Sequence, residues 1–184
     1  MRRNGASLVA AFALLCASAW AGTSETAAPG ESASWVPKVL SFTYQGFTTR
    51  YTCDALTTKM KGILLELGAR PDLKVRAWGC IEPVAPDTFP GVTVQMSVLE
   101  PGATVTQPVA AHWKRVDLLA NRNPADAAAD CELISQIKLK VLPLFAARNV
   151  DYSATCARGQ VYPGATRLIA DVLVADGGPS TVSR

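Results

Sequence analysis

Four cysteines constrain the fold of this 184-residue sequence more than any other feature: Cys53, Cys80, Cys131 and Cys156. An even set of cysteines in an exported chain indicates disulfide bonds, and four cysteines allow three pairings. A helix over Asp54–Leu67 would rise about 21 Å, and a strand over Leu73–Cys80 would return about 23 to 26 Å. This return brings Cys80 back beside Cys53, so we predict a Cys53–Cys80 bond.

The second pair of cysteines repeats this geometry. A helix would rise by a similar distance from Cys131 to Phe145, and a strand would return from Asn149 to Cys156. This geometry predicts a Cys131–Cys156 bond. A metal site is the alternative use of four cysteines. The sequence contains neither a C-x-x-C motif nor a Cys/His pair at ligand spacing, so we expect no metal and no cofactor.

Disulfides require an oxidising compartment, and the N-terminus has the features of a secretory signal. Arg2 and Arg3 precede an apolar run over Ala6–Ala19, and Ala19-Trp20-Ala21 has the small-residue pattern of a cleavage site. The run is shorter than the roughly 20 apolar residues that span a bilayer. We therefore expect a signal peptide over residues 1–21, a periplasmic or secreted protein without a membrane span, and loss of the fifth cysteine, Cys16, with the signal. Leu15 argues against a lipoprotein, because lipoprotein processing requires a small residue before the cysteine.

The mature chain shows the same order of elements twice. Apolar stripes at helical spacing run from Leu56 to Leu67 and from Ile134 to Phe145, and each stripe lies among runs with the alternation of strands. We predict an α+β domain over residues 35–175 made of two β-α-β-β halves, 35–103 and 104–175. Both helices would lie on one face of a mixed or antiparallel sheet. Residues 22–34 are predicted to be a flexible leader and residues 176–184 a flexible tail.

The order of elements suggests an internal duplication. A shift of 78 residues places Cys53 on Cys131, Leu56 on Ile134, and the pair Ala69-Arg70 on Ala147-Arg148. The alternative is that two unrelated amphipathic helices align this well by chance. The cysteine spacing favours duplication.

Charge limits the partners of the mature chain. The whole chain has 18 Lys and Arg against 15 Asp and Glu, and loss of Arg2 and Arg3 with the signal leaves 16 against 15. A nearly neutral chain without a basic run is not expected to bind nucleic acid. Residues 46–80 nevertheless have a local basic excess, and we predict Lys59, Lys61 and Arg70 as contacts for an anionic envelope component or an envelope protein. The alternative is a solvated helix face.

Catalytic motifs are absent from the sequence. The only histidine, His112, lies in a strand pattern and is expected to be structural, and no nucleophile elbow, phosphate loop or dinucleotide motif occurs. A hydrolase would have to use paired carboxylates. The candidates for that role are Glu66, Glu82, Asp87, Glu100 and Asp117.

Lys74, Arg76 and Trp78 alternate along a strand and therefore share a face. We expect this face to cover the helix, with Trp78 packed on the Cys53–Cys80 bond. A binding surface is the alternative.

Two segments carry a family resemblance: Phe42-Thr-Tyr-Gln-Gly-Phe-Thr-Thr-Arg-Tyr-Thr-Cys-Asp54 and Leu64-Leu-Glu-Leu-Gly-Ala-Arg70. The first half of the chain resembles uncharacterised exported proteins of Gram-negative bacteria. The resemblance implies a periplasmic setting and no particular activity. The predicted function is that of a non-enzymatic periplasmic binding or accessory protein with no catalytic residues. The alternatives are an inhibitor of an envelope-attacking hydrolase, acting through the loop Glu82–Gly91, and a small carboxylate-dependent hydrolase.

Overall fold

The computed structural model describes residues 31–46, 50–80, 89–102, 108–119, 124–154 and 166–177. The first half contains β1 (Glu31–Thr43), α1 (Cys53–Glu66), β2 (Lys74–Trp78) and β3 (Gly91–Pro101). The second half contains β4 (Val109–Leu119), α2 (Pro124–Gln136), β5 (Ala147–Ser153) and β6 (Arg167–Ala175). The described residues therefore follow the predicted β-α-β-β order twice.

The strands form one six-stranded sheet in the order β2-β3-β1-β4-β6-β5. Every neighbouring pair is antiparallel, so of the two sheet types predicted the structure has the antiparallel one. The leading strands of the two halves, β1 and β4, meet at the centre, and β2 and β5 form the edges. The second half thus continues the sheet outward from β4 in the order that the first half follows from β1.

Both helices pack on one side of this sheet. A single core contains α1 residues such as Leu56 and Met60, Ile137 from the helical segment after α2, and sheet residues such as Phe42 and Val172. Side chains alternate between the faces of a strand, so the residues beside these core positions point the opposite way. A smaller apolar cluster lies there and has four buried members: Ala33, Leu99, Ala111 and Leu173.

Helix α1 begins and ends at clear signals. The Thr52 side chain accepts a hydrogen bond from the Ala55 amide at 3.2 Å, which satisfies one of the unpaired amides of the first turn. The helix is followed by Gly68, whose φ of +94° lies in the left-handed region. A Cβ on Gly68 would lie 2.9 Å from the Leu173 carbonyl oxygen, so this position also needs glycine for the close approach of β6.

Pro124 is a favourable first residue for a helix and Pro143 must kink or end one, so the sequence predicts the second helix from Pro124 towards Leu142. The structure has α2 to Gln136, a π-helical turn over Ile137–Val141 and a 3₁₀ turn over Leu142–Leu144. Pro143 lacks an amide proton and its ring crowds the preceding turn, so the helix changes form and ends here.

The Cys53–Cys80 bond is confirmed, with a Cα–Cα distance of 6.3 Å. It joins the first residue of α1 to the chain just after β2, as predicted from the matching lengths of the helix and the returning strand. Cys156 lies outside the described residues, so the Cys131–Cys156 bond stays a prediction. The start of the domain differs from the predicted one, because β1 begins at Glu31 and buries Ala33 and Ser34 within the predicted leader.

Candidate functional site

The face of the sheet opposite α1 and α2 carries all three tryptophans of the described chain. We call it the open face; it includes the odd-numbered residues of β1, β3, β4 and β6 and the even-numbered residues of β2. Trp35 lies opposite Leu99, Trp113 opposite Leu173, and Trp78 opposite Gly91 in the cross-strand register. Within the described part of the chain, no helix packs on the tryptophans of this face.

Two of these tryptophans are stacked with arginine. The Arg70 guanidinium carbon lies 5.9 Å from the centroid of Trp35, and that of Arg148 lies 4.1 Å from the centroid of Trp113. A cation above an indole ring is attracted by the negative charge of the ring face. We call these two pairs the Trp–Arg stacks.

The Trp–Arg stacks occupy equivalent places in the two halves. Trp35 and Trp113 are 78 residues apart, as are Arg70 and Arg148, and this is the shift that aligns Cys53 with Cys131. The buried residues beneath the stacks also form matched pairs, with Ala33 and Ala111 separated by 78 residues and Leu99 and Leu173 by 74. The Arg70–Arg148 match was visible in the sequence, and applying the same shift to Trp35 would have identified the stacks.

The stacks differ in how firmly the arginine is held. Arg70 donates two hydrogen bonds to Asp72, at 2.8 and 2.7 Å, and these bonds lower the pKa of the Asp72 carboxyl. Arg148 lies 3.9 Å from Asp171, which already accepts a hydrogen bond from Asn149 at 2.7 Å. The guanidinium of the second stack is therefore the less engaged of the two.

The third tryptophan belongs to an edge row on β2. Lys74, Arg76 and Trp78 point to the open face, because Val75 between them packs against the helix-side core. The expectation that these three residues cover the helix, with Trp78 on the disulfide, is therefore wrong. The strand alternation ends at Gly79, whose φ is +74°, and this turn directs Cys80 to Cys53 while Trp78 stays on the other face.

The predicted contacts Lys59, Lys61 and Arg70 do not lie together. Lys59 forms an ion pair with Asp130 between the two helices. Lys61 is an exposed residue of the same helix, turned about 200° away from Lys59. Arg70 lies on the open face, across the sheet from Lys59.

A polar cluster joins the connection between β1 and α1 to α2 on the helix side. The Tyr51 hydroxyl donates to Asp130 at 2.8 Å, and the Tyr44 hydroxyl donates to Glu132 at 3.1 Å. The two tyrosine rings meet edge to face at 4.8 Å. Burial, reinforced by the nearby carboxylates of Glu132 and Asp130, raises the pKa of Tyr44 far above its ordinary value, so the phenol stays neutral and acts as a donor.

Two of the predicted carboxylates, Glu66 and Asp117, line a cleft of about 280 Å³ together with Lys59 and Asp130. Desolvation raises the pKa of Glu66; Lys114 opposes this shift and Asp117 adds to it. A raised carboxyl pKa is typical of a general acid, but a hydrolase of this type also needs a second, uncommitted carboxylate. Asp117 is bound by Arg167, which lowers its pKa, and Asp130 is bound by Tyr51 and Lys59.

The other predicted site residues lie elsewhere. Glu100 forms an ion pair with Lys38 at 2.7 Å. Glu82, Asp87 and most of the predicted inhibitory loop lie outside the described residues. His112 is exposed, and its Nδ1 lies 2.5 Å from an Asp176 carboxylate oxygen.

In the described residues, no group of three or more His, Cys, Asp or Glu side chains is placed to hold a metal ion. Among the helices of the described residues, none is long and apolar enough to cross a membrane. Comparison of the chain with protein-family models, with curated proteins and with solved structures found no match.

Proposed function

We propose that the chain is an exported, non-enzymatic binding protein of the bacterial envelope, periplasmic or secreted, and that it contacts an anionic partner through the open face. The observation that carries this proposal is the placement of Trp35, Trp78 and Trp113 on the one face of the sheet that the described helices leave uncovered. The signal-like N-terminus and the Cys53–Cys80 bond support an oxidising compartment.

Tryptophan and arginine are the residue types that contribute most to binding energy at protein interfaces. An indole offers a large rigid apolar area and loses little conformational entropy on binding. Both types are concentrated on the open face, whereas the helix-side surface of the described chain carries no tryptophan. The open face therefore has the composition of an interaction surface.

The Trp–Arg stacks favour an anionic partner. A guanidinium that lies flat on an indole keeps its N–H edges directed outward, where two parallel hydrogen bonds to a carboxylate or phosphate can form. Stacking also limits the conformations of the arginine before binding, which lowers the entropy cost of the contact. Arg148 lies above Trp113, with its guanidinium carbon 4.1 Å from the ring centroid.

We further propose that the two halves arose by internal duplication. The matched Trp–Arg stacks, the repeated β-α-β-β order and the 78-residue shift of Cys53 onto Cys131 all support it. A duplicated chain would present two similar contacts to one extended or repetitive partner, and two linked contacts bind more tightly than either alone.

The test is affinity capture from envelope extract with the mature chain immobilised through its C-terminus. We expect a captured component that elutes with salt, and a loss of capture of at least tenfold when Arg70 and Arg148 are both changed to Gln. The matched control is the double change of Lys61 and Lys138 to Gln, which removes the same charge from the helix side. Capture that survives the arginine changes, or fails equally in the control, contradicts the proposal.

A further inference from the structure

We propose that the edge row of the open face binds a glycan chain that carries carboxylate groups, with Trp78 as the platform for one sugar ring. This inference names the ligand class of the proposed binding function and rests on it. The row consists of β2 side chains and their cross-strand neighbours on β3: Lys74, Arg76, Trp78, Gly91, Thr93 and Gln95.

Trp78 lies flat on the sheet because Gly91 leaves room for it. A Cβ at position 91 would lie 2.4 to 2.8 Å from three atoms of the indole, Cε2, Cζ2 and Cδ2. The ring therefore rests on the Gly91 backbone, and its other side points outward with 41% of the residue exposed. A fixed, outward-facing indole is a suitable surface for the C–H face of a pyranose ring, which packs on it by dispersion and burial of apolar area.

The charges of the edge row are available to a ligand. In the described part of the chain neither Lys74 nor Arg76 forms an ion pair, and both side chains are exposed. The nearest acid along the chain, Asp72, is already bound by Arg70. Among the described residues, the edge row therefore presents two cations outside any ion pair beside one indole, and this charge is complementary to an anionic ligand.

The spacing of the edge row suits an extended chain. Side chains two residues apart on one face of a strand are about 6.6 Å apart, so the row from Lys74 to Trp78 spans about 13 Å, the length of a few sugar rings. The next row on β3 supplies the Thr93 hydroxyl and the exposed Gln95 amide. These groups donate and accept hydrogen bonds, as sugar hydroxyls require.

Single-stranded nucleic acid is the other extended anion that an aromatic and basic sheet face can bind. Such binding uses successive aromatic platforms for successive bases. Here Trp78 is the one indole of the edge row, while Trp35 on the same face is occupied by Arg70. The nearly neutral mature chain also lacks the net positive charge that attracts a phosphate backbone. These features favour a glycan whose charges are spaced by uncharged groups.

The experiment titrates the mature chain with a galacturonic acid oligosaccharide as the probe and follows tryptophan fluorescence and calorimetric heat. We expect saturable binding that weakens at least tenfold with the fully methyl-esterified oligosaccharide. We also expect at least tenfold loss in Trp78→Ala, at least fivefold loss in Arg76→Gln, and partial retention in Trp78→Phe. Lys61→Gln is the matched control on α1 and should bind like the unaltered protein.

Absence of binding by the unaltered protein, or binding that Trp78→Ala and Arg76→Gln leave unchanged, would overturn the inference. Tighter binding of an oligothymidylate or of anionic phospholipid vesicles than of the oligosaccharide would also overturn it, and would assign the row to nucleic acid or lipid. Circular dichroism and the melting temperature confirm that each variant is folded. If envelope capture needs Arg70 and Arg148 but not Trp78 or Arg76, the open-face function stands and the glycan inference fails.

Discussion

Replacing Cys53 and Cys80 together by alanine should destabilise the protein by about 3.5 kcal/mol. The bond closes a loop with a sequence separation of 27 residues, and the chain-entropy model gives about 3.5 kcal/mol for a loop of that length. Both cysteines are changed because a single substitution would leave a thiol able to form wrong disulfides. A loss of this size is a large share of the 5 to 15 kcal/mol typical of a domain.

The structure also indicates which part of the chain should lose the most local stability. Four of the five residues of the edge strand β2 are exposed, and among the described strands β3 is its only neighbour. The disulfide ties the chain just after β2 to the buried start of α1. Without it, β2 should open locally more often, so the amides of Lys74–Trp78 should lose more hydrogen-exchange protection than those of the central strand β4.

The assay is urea unfolding of the double variant beside the unaltered, oxidised protein, followed by circular dichroism. With a slope of about 2 kcal/mol per molar urea, the midpoint should fall by about 1.7 M. A loss below about 1 kcal/mol would refute the entropic reasoning. Equal exchange protection of β2 in the two proteins would refute the local role of the bond.

Three further predictions concern export, the cleft and the polar cluster. Protein recovered from an exporting bacterium should have the intact mass of a chain that begins at Gly22, and a species that retains Cys16 or carries lipid would contradict export by signal cleavage. Glu66→Gln should stabilise the fold at pH 7 and leave its stability unchanged below about pH 4. The pKa of Glu66 is raised in the folded state, so the unaltered protein loses stability as the pH rises from the unfolded pKa through the folded one, and glutamine removes this loss. Stability curves of the two proteins that stay parallel from pH 3 to 8 would contradict this. Tyr51→Phe should cost about 1.5 to 3 kcal/mol, the usual contribution of a hydrogen bond to a charged group; a double-mutant cycle with Asp130→Asn tests it, and additive effects would contradict the coupling.

Much of the fold could be predicted from local sequence patterns. The helix predicted over Asp54–Leu67 and the strand predicted over Leu73–Cys80 agree with α1 and β2 within one or two residues, because local sequence patterns reflect burial along one element. The start of β1 could not be predicted this way. Glu31–Ser34 is short, small and polar, and it forms a strand because the ends of β3 and β4 flank it on both sides.

The candidate site could not be predicted from the alternation of side chains along single strands, because it depends on how the strands and helices pack together. Alternation shows that Lys74, Arg76 and Trp78 share a face, but the two faces of a strand are equivalent until the helices are placed. The prediction assumed that Cys80 continues the alternation of Trp78, and Gly79 breaks it. The Arg148–Trp113 contact likewise requires the β5–β6 and β4–β6 pairings, which join residues distant in sequence.

The Trp–Arg stacks have a second consequence for binding, because they also shield the buried cluster of the open face. Leu99 and Leu173 lie opposite the stacked tryptophans and are almost fully buried, so an arginine that leaves its indole to bind a ligand exposes apolar area unless the ligand covers it. The bidentate bond to Asp72 opposes such a movement of Arg70, whereas the 3.9 Å approach to Asp171 holds Arg148 weakly. The two halves should therefore bind unequally, because two N–H donors of Arg70 are already used by Asp72, whereas Arg148 can turn its donors to the partner. Arg148→Gln alone should then reduce envelope capture more than Arg70→Gln alone, and equal or reversed losses would show that the Asp72 bond does not limit the first stack.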